Sequence, residues 1–393
     1  MSGLIFGVNA TLKRLNEKGY TLSWTRKNQF EGCQAQWFLN NICTPDPEVI
    51  VSPLLREDTY ALPGWVIQKL FETYINGRIY RSMGSVDESM KWFDRNLRLL
   101  CEVVTKIPYE GQLAVWNPRY FFDRGEGKVI VSEAVEKGLD PCMKDLQIHF
   151  IDSCVFERVN KDWESFYIKI SDILRRVLEM WVRDGVNLDL MFCEQKVEAY
   201  LNIGIDQLHI EGFTDYIYNT YGEGCFENIN SLKDGYTLLD GKYNLSRFVH
   251  EEQLQLYVTL IYIMTGKMPE YMMFLEYKGC RYKAFQPDRG YVRRLRESCM
   301  RLTSVLAQIR SWLTSIREYD SSIRDFDAVE APVIFTPNAT SCCFCGARDI
   351  CPSFIESPDI RREAGNFTGK RVKERIMKEF ETLDPSVVNI GSL

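Results

Sequence analysis

The sequence contains no run of eighteen apolar residues, so no segment has the length and character of a membrane-spanning helix. The opening stretch MSGLIFGVNATLKRLNEKGY lacks a basic region followed by an apolar one, and it does not read as a secretory leader. No internal repeat and no low-complexity tract is found, which excludes solenoid and linker classes. Charge of one sign is also lacking. The 48 basic side chains nearly balance 54 acidic ones, for a net charge of -6. Such a chain does not coat nucleic acid by bulk charge, although a local basic groove remains compatible with it. Histidine is scarce, with three in the chain.

What is present is apolar side chain and cysteine. Hydrophobic residues make up 45% and aromatics 13% of the 393 residues, enough for a large packed core and against disorder. The 13 cysteines are expected to be reduced in an intracellular, cytoplasmic protein and do not form a disulfide framework.

Along the chain, a helix is predicted from about Leu22, with Ser23 or Thr25 as its N-cap, carrying Phe30, Cys33, Trp37 and Phe38. Pro45, Pro47 and Pro53 mark a loop, and Pro63-Gly64 opens a second helix with Ile67, Leu70, Phe71 and Tyr74 on its apolar face. Residues 78–190 read as a mainly helical insertion, strongest in WESFYIKISDILRRVLEMWVRDG. Residues 191–330 then carry MFCEQKVEAYLNIG, LHIEGFTDYIYN and YTLLDGKYN as successive antiparallel strands. A helix ending at Gly266, two further strands and the basic helix VRRLRESCMRLTSVLAQIRSWLTSIREYD follow. A cysteine segment at 331–355 and a polar tail at 356–393 close the chain, while residues 1–77 supply the N-terminal helices.

Asp240-Gly241-Lys242 lies on one predicted strand, where residues two apart project to one face. Asp215 lies on the strand before it. Paired as a hairpin, the two aspartates can converge on Mg²⁺ or Mn²⁺, which prefer oxygen ligands. Lys242 then stands beside them to stabilise charge on a phosphate or to position water. Alone, such a triplet more often marks a surface hairpin with a salt bridge. Gln253 and Tyr257, four apart on the next helix, share a face and can hydrogen-bond a nucleic-acid backbone. Near the C-terminal end, Cys342, Cys345 and Cys351 form a tight thiol group, with Cys343 as an alternative to Cys342. Such a group suits an iron–sulfur cluster or a structural zinc, with a fourth ligand from elsewhere.

In their order, these motifs resemble the PD-(D/E)XK nuclease superfamily, and within it the RecB-type branch with an iron–sulfur cluster: the CRISPR-associated exonucleases and the AddB nuclease domains. The matching residues are Gly212 to Asp215 (GxxD), Asp240 to Lys242 ((D/E)xK), Gln253 to Tyr257 (QxxxY) and Cys342, Cys345, Cys351 (CxxC-x5-C). The resemblance covers roughly 20–75 and 190–355. It implies an α/β fold, a mixed central sheet flanked by helices, with a helical insertion and a C-terminal cluster segment. It also implies a 4Fe-4S cluster on Cys33, Cys342, Cys345 and Cys351, tying the N-terminal helix to the C-terminal end. The implied activity is a metal-dependent DNA nuclease, an exonuclease on single-stranded ends, with DNA-processing proteins as partners. Asp215, Asp240, Lys242, Gln253 and Tyr257 would be catalytic, and Asp215, Asp240, the Gly241 carbonyl and Gln68 or Glu72 would hold the metal. The family usually places a histidine four residues after a glycine of an early helix. Gln68 stands at that position after Gly64, with Glu72 one turn on. His149, His209 and His250 are the available imidazoles. The alternative reading is a catalytically weak, cluster-stabilised nucleic-acid-binding or scaffold subunit of a larger DNA-processing complex. The segment GNFTGKR lacks the spacing and the hydroxyl residue of a phosphate-binding loop. The arginines of the basic helix (Arg293, Arg294, Arg296, Arg301, Arg310) fit either phosphate tracking or a solvated face.

Overall fold

The computed structural model describes residues 4–5, 8–18, 21–38, 41, 62–105, 163–203, 206–224, 226, 228–245, 251–288, 290–319 and 328–329, with isolated positions between 342 and 362. His149, His250, Cys343 and Cys345 lie outside them, as do the segment GNFTGKR and the tail from 363.

The elements in chain order are β1 (Leu4–Ile5), α1 (Val8–Lys18), β2 (Thr21–Leu22), α2 (Trp24–Gly32), α3 (Gln34–Trp37) and α4 (Leu62–Asn76). Next come α5 (Val86–Thr105), α6 (Trp163–Arg183), β3 (Met191–Ile203), β4 (Asp206–Tyr218), β5 (Tyr236–Lys242) and α7 (Glu251–Thr265). Last are β6 (Pro269–Glu276), β7 (Arg281–Phe285), α8 (Tyr291–Tyr319) and β8 (Ala328–Val329). The architecture is α/β, with a mixed sheet of six strands. Among the described residues no helix is long and apolar enough to cross a membrane.

The sheet is built on β4. A strand offers two hydrogen-bonding edges, and β3 fills one of them from Asp206 to Tyr218 as a long antiparallel hairpin. The other edge is divided between β2, parallel at His209 and Ile210, and β5, antiparallel from Tyr216 to Tyr218. β5 pairs with β6 in parallel, as the intervening helix α7 allows, and β6 turns into antiparallel β7. β1 and β8 form a separate two-stranded pair.

Alternation along the central strands sends neighbours to opposite cores. Leu238, Met272 and Phe274 join one cluster with α1, α2, α3, α7 and α8. Leu239, Met273 and Leu275 join a second with α4, α5 and α6. Both faces of β5 and β6 are therefore covered, which is why YTLLD and YMMFLE read as near-continuous apolar runs. Helices α5 and α6, from the stretch read as an insertion, pack with α4 on that second face. Phe71 of α4 meets Trp181 of α6 at 4.7 Å between ring centroids and Phe93 of α5 at 5.4 Å.

Two helix ends show their causes. Ser23 is the N-cap of α2, its Oγ accepting from the Arg26 amide at 3.4 Å. The helix does not run on to Phe38. Cys33 is extended (φ -159°) and separates α2 from α3, whose Trp37 packs edge-on against Phe30 at 5.2 Å. Gly266 (φ +71°) ends α7 in the left-handed region that costs glycine little.

Candidate active site

Extending the β4–β5 register by one pair beyond Tyr216–Leu239 sets Asp215 opposite Asp240. The β3–β4 register, continuous on both sides of the gap between Cys193–Tyr216 and Gln195–Thr214, sets Glu194 opposite Asp215. Three carboxylates thus lie in one row across β3, β4 and β5, where β5 ends. In open α/β sheets the crevice beyond the carboxyl ends of parallel strands is the usual ligand position.

Asp240 is 1% exposed. The Lys242 Nζ lies 2.5 Å from its Oδ2, while its Oδ1 has no hydrogen-bond partner. Asp215 Oδ2 accepts the Gly241 amide at 2.7 Å. Burial, and then the charge of Asp240, push the Asp215 carboxyl well above the usual range, against the pull of Lys242. Burial raises the Glu194 carboxyl as well, followed by the charge of Glu72. Burial pulls the Lys242 ammonium down, but Asp240 and Asp215 outweigh it, so its proton is held more firmly than in water. Two neighbouring carboxyls pushed toward protonation, Asp215 and Glu194, make a site that gains from a cation.

The lysine is steered from α7. Its Nζ donates to Gln253 Oε1 at 3.3 Å, and Gln253 Nε2 donates to the Tyr257 hydroxyl at 3.0 Å. Burial and then Asp240 raise the Tyr257 phenol, so it stays protonated as a hydrogen-bond donor. Two glycines admit close neighbours on these strands. A Cβ on Gly212 would lie 2.5 Å from Tyr257 Cε1, and one on Gly241 would lie 2.0 Å from the Tyr277 hydroxyl. Gly212, three residues before Asp215, is thus the seat of the Tyr257 ring.

From α4, Gln68 Nε2 donates to Glu194 Oε1 at 2.6 Å, and Lys69 pairs with Glu72 at 2.6 Å. Gln68 therefore reaches the acid row through Glu194, and Glu72 acts on that same residue by charge. Glu194 carries no recognisable motif in the sequence. Its mark is in the backbone: φ is +53°, in the left-handed region, inside a strand. For a residue with a Cβ this costs about 1–3 kcal/mol, and such strain gathers at functional sites. The donor set (three carboxylates, one buried oxygen without a partner, a neighbouring lysine) fits Mg²⁺ or Mn²⁺. Among the described residues, the ligand atoms already drawn within 4.8 Å of one another are a different set, on Glu198, His209 and Glu211.

The cysteines divide. Cys33, Cys342 and Cys351 are all buried. Cys33 and Cys351 share the first core cluster with Trp37 and Phe38. Cys101, Cys193 and Cys299 are buried in the cores as well, and burial pushes the Cys299 thiol up to about 12. Of the basic helix, Arg294 pairs with Asp288 at 2.7 Å and Arg293 with Glu297 at 3.4 Å on a solvated face.

Compared with protein-family models, with curated proteins and with solved structures, the chain matches none.

Proposed function

We propose that the chain is a metal-dependent deoxyribonuclease of the PD-(D/E)XK fold, acting as an exonuclease on single-stranded DNA ends inside the cell. The observation that carries this reading is Asp240, buried with an unpartnered oxygen, beside Asp215 and within ion-pair distance of Lys242. Asp215 and Asp240, with Glu194 added to the set expected from sequence, would hold Mg²⁺ or Mn²⁺. The Gly241 carbonyl and Gln68 or Glu72 would complete the site. When bound, the ion lowers the pKa of a water and neutralises charge on the phosphate.

The chain's own groups supply the rest. Lys242 places a full positive charge where the phosphoryl oxygens gain negative charge in the transition state. Gln253 fixes the direction of that ammonium through its Oε1. Tyr257 receives the Gln253 amide and keeps its own hydroxyl proton for a backbone phosphate oxygen. Cys33, Cys342, Cys345 and Cys351 would hold a 4Fe-4S cluster. Its role is to tie the α2–α3 junction to the C-terminal segment. The shared core cluster of Cys33 and Cys351 supports this assignment.

One observation favours a weaker enzyme or a nucleic-acid-binding scaffold subunit. Gln68, at the position of the family's histidine, spends its amide on Glu194 and offers no base. The same assay separates the two readings. Purified protein with Mn²⁺ and end-labelled single-stranded DNA should release nucleotides. Asp240→Asn and Lys242→Ala should each slow release by about a hundredfold or more. Wild type cutting no faster than either variant, with DNA binding retained, rejects the nuclease and leaves the scaffold. Anaerobic purification should give about four iron and four sulfide per chain. Stoichiometric zinc without iron rejects the cluster.

A further inference from the structure

The β3–β4 hairpin carries a second group of metal-ligating side chains, nearer its turn and separate from the acid row. The register pairs Glu198 with Glu211 and Tyr200 with His209, so these four project from one face of the hairpin. His209 Nε2 is 3.0 Å from Glu198 Oε2. One ligand atom from each of Glu198, His209 and Glu211 lies within 4.8 Å of the other two. An ion with bonds of about 2.0–2.2 Å holds its ligand atoms within roughly 4.4 Å of one another. Small side-chain rotations therefore suffice to close the set.

Two further observations bear on what this group is for. First, the imidazole is held from its other side. Nδ1 is 3.2 Å from Thr21 Oγ1, on β2, and the ring stacks on Tyr200 with centroids 4.7 Å apart and planes 20° from parallel. A partner on the second nitrogen, fixing tautomer and ring plane, is the usual support of a histidine that ligates a metal. Second, a cation already sits there. The Lys196 Nζ lies 2.7 Å from Glu198 Oε2 and 3.3 Å from Glu211 Oε2. The Lys196 side chain is 46% exposed and the three ligands are partly exposed, so the ammonium can leave for solvent and an ion can enter. Exposed ion pairs of this kind are weak and readily exchanged.

We propose that Glu198, His209 and Glu211 form a zinc site in which the ion takes the place of the Lys196 ammonium, with water completing the coordination. One nitrogen and two carboxylate oxygens suit Zn²⁺ better than Mg²⁺, which avoids imidazole. Because Thr21 pairs with His209, occupancy would brace β2 against β4 and fix the segment that leads into α2 and Cys33. The site is independent of the nuclease reading.

The test must distinguish this site from thiols that also take zinc. With three histidines in the chain, the imidazole ¹⁵N resonances of histidine-labelled full-length protein are resolvable, and His209→Asn identifies the one concerned. Chelator-treated protein is titrated with zinc chloride. The His209 Nε2 resonance is expected to move to a metal-bound position in wild type and to stay in place in Glu198→Gln/Glu211→Gln. Both glutamines keep the shape of the residues they replace, and a melting curve checks that the variant is folded. Lys196→Met should show the same change at roughly three- to tenfold lower free zinc, because the competing cation is gone. An unmoved His209 resonance at saturating zinc overturns the site. Equal zinc response in wild type and the double glutamine variant also overturns it, and an unchanged midpoint in Lys196→Met overturns the displacement.

Discussion

Replacing Gly212 by alanine tests the packing that links two motifs without touching a charged group. The new methyl carbon would stand 2.5 Å from Tyr257 Cε1 and 3.1 Å from Cδ1. Ordinary carbon–carbon contact is about 3.5–4.0 Å, so the ring must retreat by about 1 Å. Tyr257 is buried at 7% exposure in the first core cluster, so its ring has little room to move. Overpacking of this kind costs about 1–3 kcal/mol, a fall in Tm of a few degrees for a chain of this size. The functional effect should be larger than the stability effect. The Gln253–Tyr257 and Lys242–Gln253 contacts are 3.0 and 3.3 Å long, so a 1 Å shift of the ring strips the lysine of its guide. A displacement of that size at reacting groups is worth about a hundredfold in rate. Melting curves and the DNA-release assay are run on Gly212→Ala, Tyr257→Leu and the double variant. In the Tyr257→Leu background the added methyl should cost almost nothing, giving a coupling energy above about 1 kcal/mol. Gly212→Ala melting within a degree of wild type would refute the reasoning. A destabilisation left intact by Tyr257→Leu would place the clash elsewhere.

Asp215 gives a prediction in pH. Its carboxyl is raised in the folded chain, so it binds a proton more tightly there than in the unfolded chain, where the value is about 3.9. The stability it contributes is full below that value and is lost as pH rises through the folded pKa. In metal-free protein, Asp215→Asn should therefore gain stability over wild type as pH goes from about 4 to 8, read by urea denaturation at both ends. A difference that shrinks or stays flat contradicts the raised carboxyl of Asp215. Phe71→Ala addresses the helices from 86–105 and 163–183. It should cost about 3–5 kcal/mol and shift the whole calorimetric transition, since Phe71 touches both helices and Tyr277, the residue that follows β6. A separate low-temperature transition, with the main one unmoved, would make those helices an independent unit.

The parts of the site legible in the sequence are those in which spacing has one geometric meaning. Four residues on a helix make one face, which is why Gln253 and Tyr257 are found in contact. A hairpin between two strands makes cross-strand neighbours, which is why Asp215 and Asp240 could be paired before any coordinates. Glu194 had no such signature. It is one of 54 acidic residues, and neither its register against Asp215 nor its left-handed backbone leaves a mark in composition or period. The two-residue strand β2 is too short to carry an alternation, yet it decides what His209 touches. Periodicity marked WESFYIKISDILRRVLEMWVR as a helix but could not say what its apolar stripe covers. That stripe packs with α4 and with Tyr216 and Leu239, flanking the aspartates on their own strands. The helix is therefore part of the wall behind the site, and its sequence reads as generic because its role is to be apolar at the right spacing.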